Sequence, residues 1–354
     1  MSNQDIKIDF VLPWVDGSDP AWLAEFGKYK ANNPLLNTGS RFQDWDNLQY
    51  IFRAFEKFTP WVNKIFLITW GHLPAWLNIN HPKLVVVNHQ DYIEQSNLPV
   101  FNVNPLEINL HKIKGLSEHF VYFNDDLFII KYLQPEEFFQ NGLPVDFAIM
   151  DATHDGLISH IVLNDIDVIN KNFNRHIRPE YEKKKVILGN AKKWFRFDYG
   201  LDVINNLIFL KWKGHTGFIM NHYPSPYLKS TFRDVWEKEP ALLSKTTMSK
   251  FRSNDDVNQY LFRYWQLITG KFSPAKYRKW KNERKHVEVR TLQDAKLVAK
   301  DIKSGKYSIY CINDAIYKGR YTKEDMSYED FMTSKRVINS SFDSIFPHKS
   351  MYEK

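Results

Sequence analysis

Short apolar runs alternate with amphipathic stretches through the first half of the chain. Ile6 to Leu12 is one such run, closed by Pro13 and Gly17, and it suits a buried strand. From Asp44 to Phe58 the apolar positions Leu48, Ile51, Phe52, Phe55 and Phe58 fall on one face of a helix, with Asp44 as its N-cap. Lys64 to Thr69 and Leu84 to Val87 predict a second and a third strand. Asn104 is placed to cap a further helix with Pro105 in its first turn, and Phe120 to Phe123 predicts a fourth strand that ends in Asn124-Asp125-Asp126. Strands alternating with helices predict an α/β chain with a Rossmann-like, mainly parallel sheet and helices on both faces. In such folds ligands bind beyond the carboxyl ends of the strands.

The second half reads as more helical. Helices are predicted over Gly156 to Asn170, Tyr199 to Leu210, Pro226 to Lys238, Asp255 to Ile268, Leu292 to Lys303 and Tyr328 to Ile338, with a late strand from Tyr307 to Ile312. Hydrophobic residues are 43% of the 354 and aromatics 16%, enough for a substantial core, so disorder is not the default reading. Cys311 is the single cysteine: it cannot form an internal disulfide, and its place in an apolar run fits a buried structural thiol better than a nucleophile. Met1 to Lys7 is polar, and no apolar stretch approaches the ~20 residues of a spanning helix. These features predict a cytoplasmic chain, at most peripheral to a membrane.

Charge adds a further constraint. The net charge is +7, with basic residues gathered at Lys183 to Lys185, at Lys192 and Lys193, and from Lys276 to Lys285. Such clusters attract phosphates or anionic lipid, or simply form a solvated helix face. No zinc spacing or RNA-binding signature accompanies them, which argues against a nucleic-acid partner.

Four polar groups sit at predicted strand ends or after apolar runs. Trp14-Val15-Asp16-Gly17-Ser18-Asp19-Pro20 follows the first strand; Trp14 could stack on a base or ribose and Asp16 or Asp19 bind ribose hydroxyls, while an ordinary Asp-Gly turn gives the same pattern. Asn124-Asp125-Asp126 follows the fourth strand, where two carboxylates can hold a divalent cation against a diphosphate, or one can accept a proton. His222, after the apolar run Phe218 to Met220, is either a packed core residue or a base suited to an alcohol proton; Lys250 and Arg252 downstream can grip phosphate oxygens. Asn313-Asp314 repeats the Asn-Asp form after the late strand. With no Walker loop, dinucleotide fingerprint or serine nucleophile motif, the set suits direct transfer from a nucleotide diphosphate.

These residues carry a resemblance. IDFVLPWVDGSDP (Ile8 to Pro20) looks like the first conserved region of the Stealth proteins, and Arg41 to Asp126 is similar to the second, with RFQDWDNLQYIFRAFEKFTPWVNKIFLITWG and LHKIKGLSEHFVYFNDD. MNHYPSPYLKSTFRDVWEKEP with SKFRSNDDVNQYLFRYW resembles the third region, and YSIYCIND with FPHKSMYEK the fourth. The resemblance implies a sugar-1-phosphate transferase that moves a hexose or N-acetylhexosamine phosphate from a UDP-sugar to a hydroxyl of a capsular or exopolysaccharide and releases UMP. The acceptor so implied is a glycan or lipid-linked oligosaccharide at the inner leaflet.

Carried over residue by residue, the resemblance places binding functions on Trp14, Asp16, Gly17, Arg41, Asp46, Asn124, Asn313 and Asp314. It places catalysis on Asp125, Asp126, His222 and Arg252. Asp19 and Lys250 join them as substrate contacts, and Asp126 and Asp314 are the expected ligands of an Mg2+ or Mn2+ ion. Trp70 and Ala315 depart from the polar residues many relatives carry there. The expected organisation is one catalytic domain over residues 1–354, with a GT-A-like α/β nucleotide-sugar half at 1–150. A helical insertion is expected at 225–290, and a C-terminal segment at 291–354 that returns to the core. A conventional glycosyltransferase releasing UDP, or a non-catalytic basic module, remains the alternative.

Overall fold

A computed structural model describes residues 6–29, 45–154, 156, 158–174, 176–178, 181–314 and 326–354. Strand β1 (Ile8–Pro13) leads to α1 (Pro20–Tyr29) and α2 (Leu48–Phe58); β2 (Ile65–Thr69) and β3 (Leu84–Asn88) lead to α3 (Val103–Ile108) and β4 (His119–Tyr122). Three short strands follow, β5 (Leu127–Ile129), β6 (Phe139–Gln140) and β7 (Leu143–Asp146), then α4 (Ser159–Asn172), α5 (Lys183–Gly189), α6 (Ala191–Trp194) and α7 (Val203–Phe209). Strand β8 (Ser225–Leu228) precedes α8 (Lys229–Lys238), α9 (Pro240–Thr247) and α10 (Tyr260–Ile268); β9 (Ser273–Pro274), α11 (Tyr277–Asn282), β10 (Arg284–Val289), α12 (Leu292–Ser304), β11 (Ile309–Asp314) and α13 (Tyr328–Ile345) complete the order.

The central sheet runs β3-β2-β1-β4-β8, parallel except for β8, which pairs antiparallel with β4. Both faces are covered because the strands are apolar at successive positions. Phe10, Leu12, Ile65, Leu67, Val121 and Phe123 point into a core shared with Ile51, Phe52 and Phe55 of α2, Val298 of α12 and Phe342 of α13. Their neighbours Val11, Phe66, Ile68, Phe120 and Tyr122 point the other way, against Leu106 of α3, Phe232 of α8 and Leu261 of α10. Chain order along the sheet reverses between β1 and β4, and at such a switch point the loops leaving the two strands diverge and open a crevice.

Two features bring the second half of the chain to that crevice. Because β8 is antiparallel to β4, with Ser225 opposite Tyr122, the segment ahead of β8 arrives at the carboxyl end of β4. A second sheet, β10-β11-β5, sets Cys311 opposite Leu127, and the Ile312 N–H donates to the Asp126 carbonyl at 2.9 Å.

Several expectations need correction. Ser225–Leu228 is a strand, not the start of the helix predicted from Pro226. It lies at the sheet edge, where Pro226 needs no second ladder partner. The stretch 225–290 therefore opens on a sheet strand and closes on β10, and further helices, α4 to α7, precede it. Asn47 rather than Asp44 precedes α2, and Asp44 lies outside the described residues. Asn102, not Asn104, caps α3, its side chain accepting from the Asn104 N–H. The helix predicted from Tyr199 begins at Val203, after a short tight turn over Phe197–Asp202.

Candidate active site

The loop after β4 is short and turned back on itself, the Leu127 N–H donating to the Asn124 carbonyl at 3.2 Å. Asp125 is exposed at its tip, while Asp126 turns inward. Asp126 Oδ2 lies 3.2 Å from His222 Nε2 and accepts from the Cys311 thiol at 3.5 Å. Its other oxygen, Oδ1, is buried with no hydrogen-bond partner. His286, which faces Cys311 across the β10–β11 pair, sets its ring edge-on to His222 at 5.8 Å. Burial pulls the His222 pKa down, but the hydrogen bond and charge of Asp126, with Glu107 behind them, outweigh it and leave the imidazole above its ordinary value.

A second wall comes from the loop between α9 and α10. Asp256 Oδ2 accepts from the Ser253 N–H at 3.0 Å and from Asn102 Nδ2 and Asn104 Nδ2 at 2.8 and 2.9 Å, which ties this loop to the start of α3. Held there, Arg252 is half-buried and makes no hydrogen bond or ion pair with the described residues. Burial lowers its pKa, with Glu107, Asp256 and Tyr122 acting against the shift. Glu107, buried on α3, accepts from the Tyr122 hydroxyl at 2.9 Å and the Gln259 N–H at 3.3 Å. Burial nevertheless pushes its carboxyl up to about 7. Glu107 acts electrostatically on both Arg252 and His222.

The third wall is the loop after β1. Asp16 donates its backbone N–H to His72 Nε2 at 2.7 Å, and its carboxylate Oδ1 accepts from the Ser18 N–H and hydroxyl at 2.8 and 2.6 Å. His72 therefore carries its proton on Nδ1, a buried atom without a partner, and burial lowers its pKa. Trp14 sits edge-on to His72 and is buried in the core, so little of its ring is open for stacking. Trp70 packs against the Trp22, Phe26 and Phe101 cluster beside Phe251, the neighbour of Arg252.

The sequence-predicted residues thus separate. Asp126 and His222 touch, with Arg252 and the exposed Asp125 associated through Glu107, Tyr122 and the shared loop. Asp19 caps α1 through the Trp22 N–H at 2.7 Å. The Lys250 ammonium donates to the carbonyls of Leu98 and Pro99, holding a neighbouring loop. Asp46 is exposed, has positive φ and pairs with Lys335 of α13. Asn313 continues β11 opposite Glu288 of β10. Asp314 ends that strand, its side chain outside the described residues, and Arg41 and Ala315 lie outside them altogether. Cys311, His286, Glu107 and His72 were not predicted; the one local signal was Cys311 lying two positions before Asn313-Asp314.

A divalent cation fits part of this site. Asp126, His222 and Cys311 offer donor atoms within 4.8 Å of one another, a mixed oxygen, nitrogen and sulfur set of the kind that suits zinc. The unpartnered Asp126 Oδ1 supplies a hard oxygen, and Mg2+ is held by one or two carboxylates together with substrate phosphates.

Comparison with known proteins gives the family. Conserved region 1 of the Stealth proteins matches residues 7–34 and conserved region 2 matches residues 41–145. A capsular polysaccharide phosphotransferase of Streptococcus pneumoniae, WcwK, is 38% identical over the whole of both chains. The receptor polysaccharide phosphotransferase WefC of Streptococcus gordonii is 38% identical over 98% of this chain and 99% of its own. The exopolysaccharide phosphotransferase cps2G of Lactiplantibacillus plantarum is 34% identical, covering 98% and 96%. The chain is a phosphotransferase enzyme. The chain belongs to the Stealth family. Among the described residues no helix is long and apolar enough to cross a membrane.

Proposed function

We propose that the enzyme transfers a hexose-1-phosphate or N-acetylhexosamine-1-phosphate from a UDP-sugar to a glycan hydroxyl, in the synthesis of a capsular or exopolysaccharide. The single observation that carries this reading is the His222–Asp126 contact at a switch-point crevice, with Arg252, which makes no hydrogen bond or ion pair among the described residues, sharing the electrostatic influence of Glu107 with His222. The acceptor oxygen attacks the phosphorus nearest the sugar. The bond from that phosphorus to the bridging oxygen breaks, and UMP departs with the bridging oxygen.

With Nε2–H donated to Asp126, the neutral His222 ring carries its lone pair on Nδ1, and that atom takes the hydroxyl proton. Asp126 orients the ring, and of the two carboxylates in the loop it is the one placed to do so. Arg252 presents its planar fork to the phosphoryl oxygens, a fork that makes no hydrogen bond or ion pair among the described residues. A divalent cation, held by Asp126 together with the substrate phosphates, would neutralise charge on the diphosphate. The GT-A-like reading of the fold is supported by the parallel β3-β2-β1-β4 order, with the Asp16 loop on one side of the crevice and Asp126 on the other. The acceptor is a glycan, carried on a lipid.

The test is product analysis. Purified enzyme given UDP-sugars and a glycan acceptor should yield UMP and a phosphodiester by phosphorus NMR. Release of UDP with a simple glycosidic product would sink the proposal.

A further inference from the structure

The region ahead of His222 has an unusual surface. Ile204, Leu207 and Ile208 of α7 face solvent, as do Leu201 in the turn before it and Trp212 after it. Phe197 and Leu201 are 102% and 82% exposed, the most exposed large apolar side chains among the described residues. The inward side of the same helix is anchored, with Val203 and Phe209 packed against the core. Asn206 accepts from the Met150 N–H at 2.7 Å and donates to the carbonyls of Ala148 and Trp194 at 2.7 and 2.6 Å. Lys183 donates to the carbonyls of Phe209, Trp212 and Gly214, fixing the end of the helix. The apolar face is therefore held outward by the fold.

Its charge says what covers it. Lys184, Lys185, Lys192, Lys211 and Lys213 border the apolar stripe in the chain, and none forms a salt bridge among the described residues. The acidic residues of the segment are already engaged, Asp198 by Arg196 at 2.8 Å and Asp202 by Lys281 at 3.2 Å. Exposed aromatic and aliphatic side chains on a segment whose lysines form no salt bridge among the described residues are complementary to a bilayer surface rich in anionic headgroups. A second copy would bring like charge against like charge. The segment 213–221 joins Trp212 directly to His222 and is bonded to the stretch that follows β7, the Ile219 N–H donating to the Ile149 carbonyl at 3.0 Å and Phe218 bridging Met150. A surface docked at α7 is thus connected to the catalytic histidine by a short, bonded run of chain.

We infer that residues 183–213 form a membrane-docking surface that inserts Phe197, Leu201 and Trp212 among the lipids of an anionic leaflet and presents His222 to a lipid-carried acceptor. This deepens the proposed function, on whose lipid-linked acceptor it rests. Full-length enzyme should sediment with phosphatidylcholine vesicles containing phosphatidylglycerol, less so in high salt, and weakly with phosphatidylcholine alone. The Phe197→Asp, Leu201→Asp double variant should bind at least about tenfold more weakly, as expected from losing two inserted apolar side chains. Lys211→Glu with Lys213→Glu should remove the preference for phosphatidylglycerol. Both variants should keep the wild-type melting temperature and wild-type turnover on a short water-soluble glycan.

Equal sedimentation of wild type and the double variant would overturn the inference. So would a wild-type dimer that the double variant dissociates, with no vesicle binding by either. Wild-type enzyme that releases UMP but never sediments removes only the docking surface; enzyme that sediments but releases no UMP removes only the phosphotransfer reading.

Discussion

Two carboxylates of this chain face basic side chains from distant parts of the sequence, and they are treated in opposite ways. Asp146 accepts two bonds from Arg263, at 2.8 and 2.9 Å, and a third from the Phe147 N–H, while Arg263 places its remaining fork on the Ile219 carbonyl. Burial works against the arginine's charge, but Asp146 more than restores it and raises its pKa. Asp126 has His222 and a weak thiol donor on one oxygen and nothing on the other, and Arg252 has Glu107 for electrostatic company but no hydrogen bond among the described residues. A saturated pair has no valence left for a ligand and can only hold structure. The unsaturated group keeps donors and acceptors free for a ligand, and it is on this incompleteness that the proposed function rests.

The largest separation between the two should appear in rate. His222→Ala should cut turnover by about 10²–10⁴-fold, the usual contribution of a positioned base, while the urea midpoint of unfolding stays close to wild type. A variant that folds and turns over near normally would move the base elsewhere. Arg263→Ala should do the reverse. Stranding a buried Asp146 should cost roughly 3–5 kcal/mol of stability, with activity lost only in proportion to the unfolded fraction. If Arg263→Ala instead lowered kcat at full folding, the division drawn here between saturated and unsaturated clusters would collapse.

How much of this contrast was readable beforehand depends on the distance over which residues meet. The four parallel strands were legible because each is a short apolar run with local punctuation, and Leu48, Ile51, Phe52 and Phe55 marked α2 by spacing alone. Ser225–Leu228 was misread because a proline after polar residues looks like a helix start, and only its place at the sheet edge makes it a strand. His222, Asp126 and Arg252 were named for their chemistry and again through the family resemblance, whereas Asp19 and Lys250 were named for their chemistry alone and are bonded into a helix cap and a loop. Cys311 and His286 were invisible as neighbours of Asp126. Their proximity is made by the β5–β11 and β10–β11 pairings, which no local pattern encodes. Glu107 was hidden for a related reason: a glutamate inside a short helix reads as surface until Tyr122 and Gln259 are seen to enclose it.

The smallest effect, and the one that sharpens the comparison most, concerns that glutamate. Its carboxyl titrates near 7 because burial favours the neutral acid. The folded state therefore holds a proton that the unfolded chain releases nearer 4.5, and Glu107 contributes a stabilisation that is complete below that value and lost as pH rises through about 7. Glu107→Gln should flatten this loss between those two values, which urea titrations at successive pH will show. Its effect on catalysis has a definite sign. The ionised Glu107 raises the His222 pKa, and the base must be neutral to act, so removing that charge should shift the acid limb of kcat/KM to lower pH. The change at any one pH should stay within about tenfold, because Asp126, in direct contact, dominates the raised value. Superimposable pH–rate profiles for the two enzymes would mean that Glu107 only packs, and that the unsaturated cluster ends at Asp126, His222 and Arg252.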